Sequence, residues 1–337
     1  MTQSILAYNP VLTKKIILGR PNRALDSFLL DKDLFFKYQR VFGPHINSMI
    51  DRTGQMPHFL RVKQLDSLPE YQKVSFESAV EKRAKEILSH NLPVKVLWSG
   101  GLDSTFTLFA LLEYAQPGQV SVFGTYSSVM EAGELFDTHI QNRVECDIGI
   151  FNHELKPNKD VLWVSGMLGN QIFGPGNVFD NHGCPKQYGN SSNILKDYRS
   201  YVNEDILEIL DPSIKAFPRK LETVEDFRWY LMFNFPWQSL RLEQNIYLPE
   251  EKYGTIHAFF NSKEIQQWAL STDEPRQLDP NDMLTHRWQM RQLIDRWIGP
   301  TYYTKHKDKA VSILYTKIKD WYALLDNYTN IYFKDAP

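Results

Sequence analysis

Cysteine is nearly absent from this chain. Cys146 and Cys184 are the only two in 337 residues. Two thiols supply neither a disulfide framework nor a four-cysteine zinc site, so the chain reads as a cytoplasmic protein of a reducing compartment. Also missing is any run of about 18 apolar residues, the length a membrane-spanning helix takes. Pro10 and the pair Lys14–Lys15 interrupt the start, which therefore does not read as a signal peptide. Neither charge is in excess: 38 Lys and Arg face 40 Asp and Glu, a net charge of −2. That balance predicts no broad nucleic-acid surface and no acidic disordered tail. Internal repeats and low-complexity stretches are lacking too.

What is present suits a packed core. The chain is 42% hydrophobic and 13% aromatic, and its length suggests two domains. Residues 1–72 are irregular, with short apolar clusters around Phe28 and Phe35 and helix-breaking Pro57 and Pro69; no chemistry is assigned to them. Residues 73–190 alternate. A helix is expected from Ser75, with Phe76, Val80, Ala84 and Leu88 on one face, stopped by Asn91 and Pro93. Strands are expected at 94–98, 119–125, 145–151 and 160–165, and helices at 104–114 and 130–142. The predicted fold class is α/β, a parallel sheet with covering helices. Residues 191–337 read as mainly helical, over 194–210, 223–234, 261–271, 281–297 and 308–326. Six of the eight tryptophans lie beyond residue 200; packing explains them more simply than a stacking site does.

The informative stretch is Trp98-Ser99-Gly100-Gly101-Leu102-Asp103-Ser104-Thr105. It joins a buried strand to a helix, where free N–H groups and the positive end of the helix dipole attract anions. Gly100 and Gly101 leave room for a close phosphate. Ser99, Ser104 and Thr105 add hydroxyls. Asp103 would repel a polyphosphate unless it held Mg²⁺, which bridges carboxylate and phosphate oxygens.

Ser99 to Thr105 resembles the signature of the ATP-pyrophosphatase (PP-loop) superfamily, and lacks the Lys-Ser/Thr ending of a Walker loop. Its form, with the segments around Ala79 and Asn91 before it, is most similar to the synthetase domain of asparagine synthetases. Val164–Gly174 resembles that family's second loop, where Ser165, Gly166 and Asn170 would face pyrophosphate. Looser likenesses follow at Ile256–Asn261, at His286–Ile294, and at Tyr303–Lys309, where Lys305 takes an arginine's place and Lys307 that of the phosphate-binding lysine. The likeness spans roughly residues 74–315. It implies an adenine nucleotide alpha hydrolase-like fold over 73–190, completed by the helical region 191–337. It also implies ATP and Mg²⁺ as cofactors, and an amide-forming ligase. Such an enzyme adenylates a small-molecule carboxylate, releases pyrophosphate and passes the acyl group to ammonia or an amine. Asp103 and Lys307 would be its catalytic residues, Asp103 its metal ligand. Ser99, Gly100, Gly101, Leu102, Ser104, Thr105, Ser165, Gly166, Asn170 and Lys305 would hold the nucleotide.

Three departures from the family pattern stand out. Thr2 occupies the position of a glutaminase cysteine, so nitrogen is expected from ammonia, a separate amidotransferase or an amine on the substrate. Met167 replaces a loop glutamate, and a thioether transfers no proton. Asn170 and Gln171 replace an Asp-Glu pair. These losses leave a second reading open, a degenerate nucleotide-binding sensor or scaffold. A third, a PP-loop sulfurtransferase acting on a nucleoside or RNA, needs a reactive Cys146 or Cys184. His182 with Cys184 is a weak metal pair, and Arg241 with Glu243 reads as an exposed ion pair rather than an acceptor-pocket lining.

Overall fold

Ser75 opens the first helix, α1 (Phe76–Leu88): its hydroxyl accepts a hydrogen bond from the Ser78 N–H, satisfying one of the donors a helix start leaves unpaired. Lys85 pairs with Glu81 one turn earlier, and the expected face of Phe76, Val80, Ala84 and Leu88 is buried. Asn91, at φ +55°, turns the chain out of the helix. The computed structural model describes residues 50–55, 66–149, 158–174, 204–222, 224–238, 240–241, 256–276, 278 and 286–299. They fall into two compact units. One lies within Met1–Glu70, Gly174–Glu243 and Asp320–Pro337, the other within Tyr71–Phe173 and Gln244–Lys319.

The second unit holds a five-stranded sheet, parallel throughout: β1 (Val94–Leu97), β2 (Val120–Thr125), β3 (Glu145–Gly149), β4 (Leu162–Ser165) and β5 (Ile256–Ala258). Their order across the sheet is β3-β2-β1-β4-β5. The short apolar run of β1 pairs on both sides, Val96 with Val122 and with Val164. A strand flanked and covered in this way is mostly hydrophobic, and its one polar residue, the half-buried Lys95, pairs with Asp147 on β3. α2 (Leu102–Tyr114) connects β1 to β2 and is buried continuously from Ser104 to Leu111, as a helix apolar on most sides must be. Phe106 on α2 stacks on Phe76 and Phe260 at centroid distances of 5.6 and 5.9 Å. Phe173 and Trp268 close on Phe76 at 5.4 and 4.5 Å. Arg83 ties α1 to the end of β5, donating to the Ala258 and Phe259 carbonyls.

Three local expectations need correction. The helix after β1 begins at Leu102, two residues before Ser104. The helix expected over 130–142 is broken: α3 (Tyr126–Glu131) starts earlier, because Thr125 and Ser128 form a reciprocal capping box. A turn at Gly133–Leu135 and a π-helical segment at Phe136–Ile140 follow. The third correction is larger. Ile256–Ala258, in the region read as helical, is the fifth strand, paired with Trp163–Ser165. The short helix α4 (Gly169–Phe173), then α7 (Lys263–Ser271) and α8 (Trp288–Ile298), complete this unit.

In the other unit, α5 (Glu204–Ala216) and α6 (Val224–Asn234) surround a buried polar knot. The Asp51 carboxylate accepts from Ser213 Oγ and Asn234 Nδ2, both at 2.7 Å, and from Thr53 and Gln55. Trp229 and Trp237 are buried here, as Trp268 is in the sheet unit, which agrees with packing roles. Among the described residues no helix is long and apolar enough to cross a membrane.

Candidate functional site

The strand order decides where a site can form. From β1 the chain builds β2 and β3 on one side, then returns to the other side for β4 and β5. The loops leaving β1 and β4 therefore both open at the carboxyl edge on either side of the switch point, where sheets of this order commonly bind ligands. The Ser99–Gly101 loop and the Gly166–Leu168 turn are those two loops.

Gly100 has φ +80°, and a Cβ on it would lie 2.5 Å from the Ser128 carbonyl oxygen. Both the left-handed backbone and the pressure of α3 demand glycine. Gly101 caps α2, with the Glu131 carboxylate beside it. The hydroxyls stitch the turn together. Ser104 Oγ accepts from the Ser99 N–H at 3.0 Å, lies 3.0 Å from Ser99 Oγ, and reaches the Gly101 carbonyl at 3.1 Å. Thr105 is wholly buried, and its Oγ1 accepts from the Trp98 indole N–H at 3.0 Å. The first bond of α2 runs from the Thr105 N–H to the Gly101 carbonyl, so the N–H groups of Leu102, Asp103 and Ser104 precede it.

The second loop presses onto this first turn. A Cβ at Gly166 would lie 2.7 Å from the Asp103 carbonyl carbon and the Ser104 nitrogen; one at Gly169 would lie 2.5 Å from the Asp103 carboxylate. Ser165 is buried at the end of β4, Met167 half-buried, Asn170 exposed, Gln171 buried. Leu168 sits at φ +75°, a conformation that a branched, bulky residue resists. Its carbonyl accepts from Gln171 and Ile172 at 3.1 Å and so starts α4.

Into this junction comes Arg287, a residue the sequence reading passed over within the segment His286–Ile294. One guanidinium nitrogen donates to the Asp103 carboxylate, a second to the Asn170 side-chain oxygen. Arg287 caps α8 from φ +58°. Two of the three non-glycine residues with positive φ among those described, Leu168 and Arg287, thus lie at one place. Strained backbone collects where surrounding structure holds a functional geometry. The sequence carried no signal for Arg287: the expected helix over 281–297 ran through it, whereas the helix begins only at Trp288.

Asp103, the expected Mg²⁺ ligand, and Asn170 are both engaged by this one guanidinium, and no group of three or more His, Cys, Asp or Glu able to hold a metal occurs among the described residues. As placed, these two side chains serve Arg287 rather than a divalent cation. His286, next to Arg287, is 8% exposed; burial first, then Arg287 and Arg291, push its pKa down to about 3. It is neutral at ordinary pH. Lys305, Lys307, His182, Cys184 and Glu243 lie outside the described residues. Arg241 pairs with Asp66. Cys146 lies half-buried on β3, where burial and then Glu145 raise its thiol pKa, the opposite of what a nucleophilic thiolate needs.

No protein-family model matches this chain, and no curated protein matches it either.

Proposed function

We propose that the protein binds a nucleoside triphosphate, with ATP the first candidate, by its polyphosphate in the crevice between the loops after β1 and β4. We further propose that it uses this to adenylate a carboxylate in the manner of an asparagine synthetase-like ligase of the adenine nucleotide alpha hydrolase-like fold. One observation carries this reading. Gly166 and Gly169 bring the second strand–loop–helix turn onto the first turn of α2, so that two loops and Arg287 converge at the sheet's switch point. Backbone N–H groups and a guanidinium facing one crevice are a phosphate-binding combination. In the reaction a carboxylate oxygen attacks the α-phosphorus, the bond to the β-phosphate oxygen breaks, and pyrophosphate leaves toward the converged donors, which offset its growing charge. An amine then attacks the acyl-adenylate and expels AMP. Met167 takes no proton, so the amine's proton passes to solvent or to the substrate.

Incubation with ATP, ammonium and a pool of carboxylates tests this. Matched amounts of AMP, pyrophosphate and a new amide support the ligase, and an absence of all three overturns it. A second reading, a nucleotide sensor, draws on the neutral Asn170–Gln171 pair and on Asp103 being already paired. Equal calorimetric binding of ATP and a non-hydrolysable α,β analogue, without pyrophosphate release, favours it.

A further inference from the structure

Two of the three guanidinium nitrogens of Arg287 are explained by its contacts. Of its three nitrogens, one Nη meets Asp103 and the other meets Asn170. Nε is buried and, among the described residues, has no partner. A guanidinium carries five N–H donors, and a buried donor without an acceptor is costly. Its side chain is 11% exposed and that of Asp103 24%, so the pair is partly shielded from water and screened less than a surface pair.

We infer that Arg287 fills the cation's place, so that this site takes its polyphosphate without a divalent metal. The inference rests on the polyphosphate reading above. A metal in such a site would link the Asp103 carboxylate to phosphate oxygens. Arg287 makes the same link: it holds Asp103 through one Nη and keeps its remaining N–H donors for an anion. The same arrangement accounts for the loss of the second-loop acids. An aspartate at position 170 would bring a second negative charge to Arg287; with Asp103, the three groups would sum to −1 and repel phosphate. Asn170 offers its oxygen to the guanidinium without that charge, leaving the trio neutral before the helix N–H groups are counted.

The test is calorimetry of inorganic pyrophosphate and of ATP binding to the full chain, in EDTA and in excess MgCl₂. The parent protein is expected to bind in EDTA with a dissociation constant within about threefold of that in Mg²⁺. Arg287→Ala should weaken binding in EDTA by at least about tenfold, and Asn170→Asp should weaken it by a similar factor while making it respond to Mg²⁺. Arg287→Lys, which keeps charge but loses the fork, should fall between. Thermal melting confirms that each variant folds; if Arg287→Ala does not, Asn170→Asp and Arg287→Lys decide. Parent binding that is tenfold or more weaker in EDTA overturns the inference. So does an Arg287→Ala or Arg287→Lys protein that binds in EDTA as the parent does, or an Asn170→Asp protein that does not weaken. If the parent binds neither ligand in either buffer, the polyphosphate reading itself has failed.

Discussion

Arg52 and Arg287 are both shielded arginines, one in each compact unit, and they are used in opposite ways. Arg52 donates from Nε, Nη1 and Nη2 to the carbonyls of Asp66, Phe233 and Ser67. Its guanidinium lies 5.0 Å from the Phe233 ring centroid and 4.5 Å from that of Trp237. Burial pushes its pKa down to about 9, with Asp66 opposing and Arg241 reinforcing that shift. Every nitrogen is answered by chain the protein already owns, so Arg52 is mortar. Arg287 meets one carboxylate and one amide, and its buried Nε–H has no partner among the described residues. The lesson is that burial and charge alone do not separate an arginine saturated by its own chain from one with donors to spare. The tally of answered donors does.

The most damaging break in this contrast should come at Arg52. Arg52→Met leaves three carbonyls without donors and is expected to lower unfolding stability by about 3 kcal/mol, whereas Arg287→Met, which breaks one partly shielded pair, costs about 1 kcal/mol. Urea denaturation of both variants, giving equal losses, would erase the distinction. Next comes Gly166→Ala. Its Cβ would meet backbone atoms of Asp103 and Ser104 at 2.7 Å, which cannot swing aside as a side chain does. We expect a loss of about 2 kcal/mol together with weakened pyrophosphate binding; unchanged binding would show that the two loops need not touch to form the site.

His286 sharpens the comparison through pH. Its folded pKa lies near 3 against an ordinary 6.5, so the unfolded chain takes up the proton first. The stability this neutral ring allows is therefore intact above pH 6.5 and falls as pH drops from 6.5 toward 3, by about 1.4 kcal/mol per pH unit. His286→Gln should flatten that slope in denaturation curves collected at pH 6.5, 5.5 and 4.5. The smallest effect is expected at Thr105. Thr105→Val strips the Trp98 indole N–H of its acceptor and should cost about 1 kcal/mol, read as a lowered melting temperature. An unchanged value would mean that the hydroxyl is not needed inside the turn.

Much of the sheet unit was legible in its sequence because the signals are local. Ser75 caps a helix by accepting, through its hydroxyl, the N–H of Ser78 three residues on, and in the run Val94–Leu97 all but Lys95 are buried apolar residues. Gly100 announces a turn whose backbone other residues resist. The early start of α3 was also written locally, in the Thr125–Ser128 pair that caps it. β5, by contrast, was illegible. Three residues, Ile256–Ala258, have too little pattern to declare a strand, and only the free edge of β4 makes them one.

By itself the sequence determined the strand–glycine–helix turn at Ser99–Thr105, the second turn at Ser165–Gln171 and most of the helices flanking them. Caps, turns and apolar periodicity act over a few residues and need no distant partner. Tertiary structure decided what those turns face. Arg287 lies 184 residues from Asp103 and 117 from Asn170 along the chain. Nothing in the spacing of either segment says that one guanidinium will bridge them. That follows only once β1 and β4 lie side by side and the start of α8 is brought to their carboxyl edge, because an ion pair depends on distance in space and not on order in the chain.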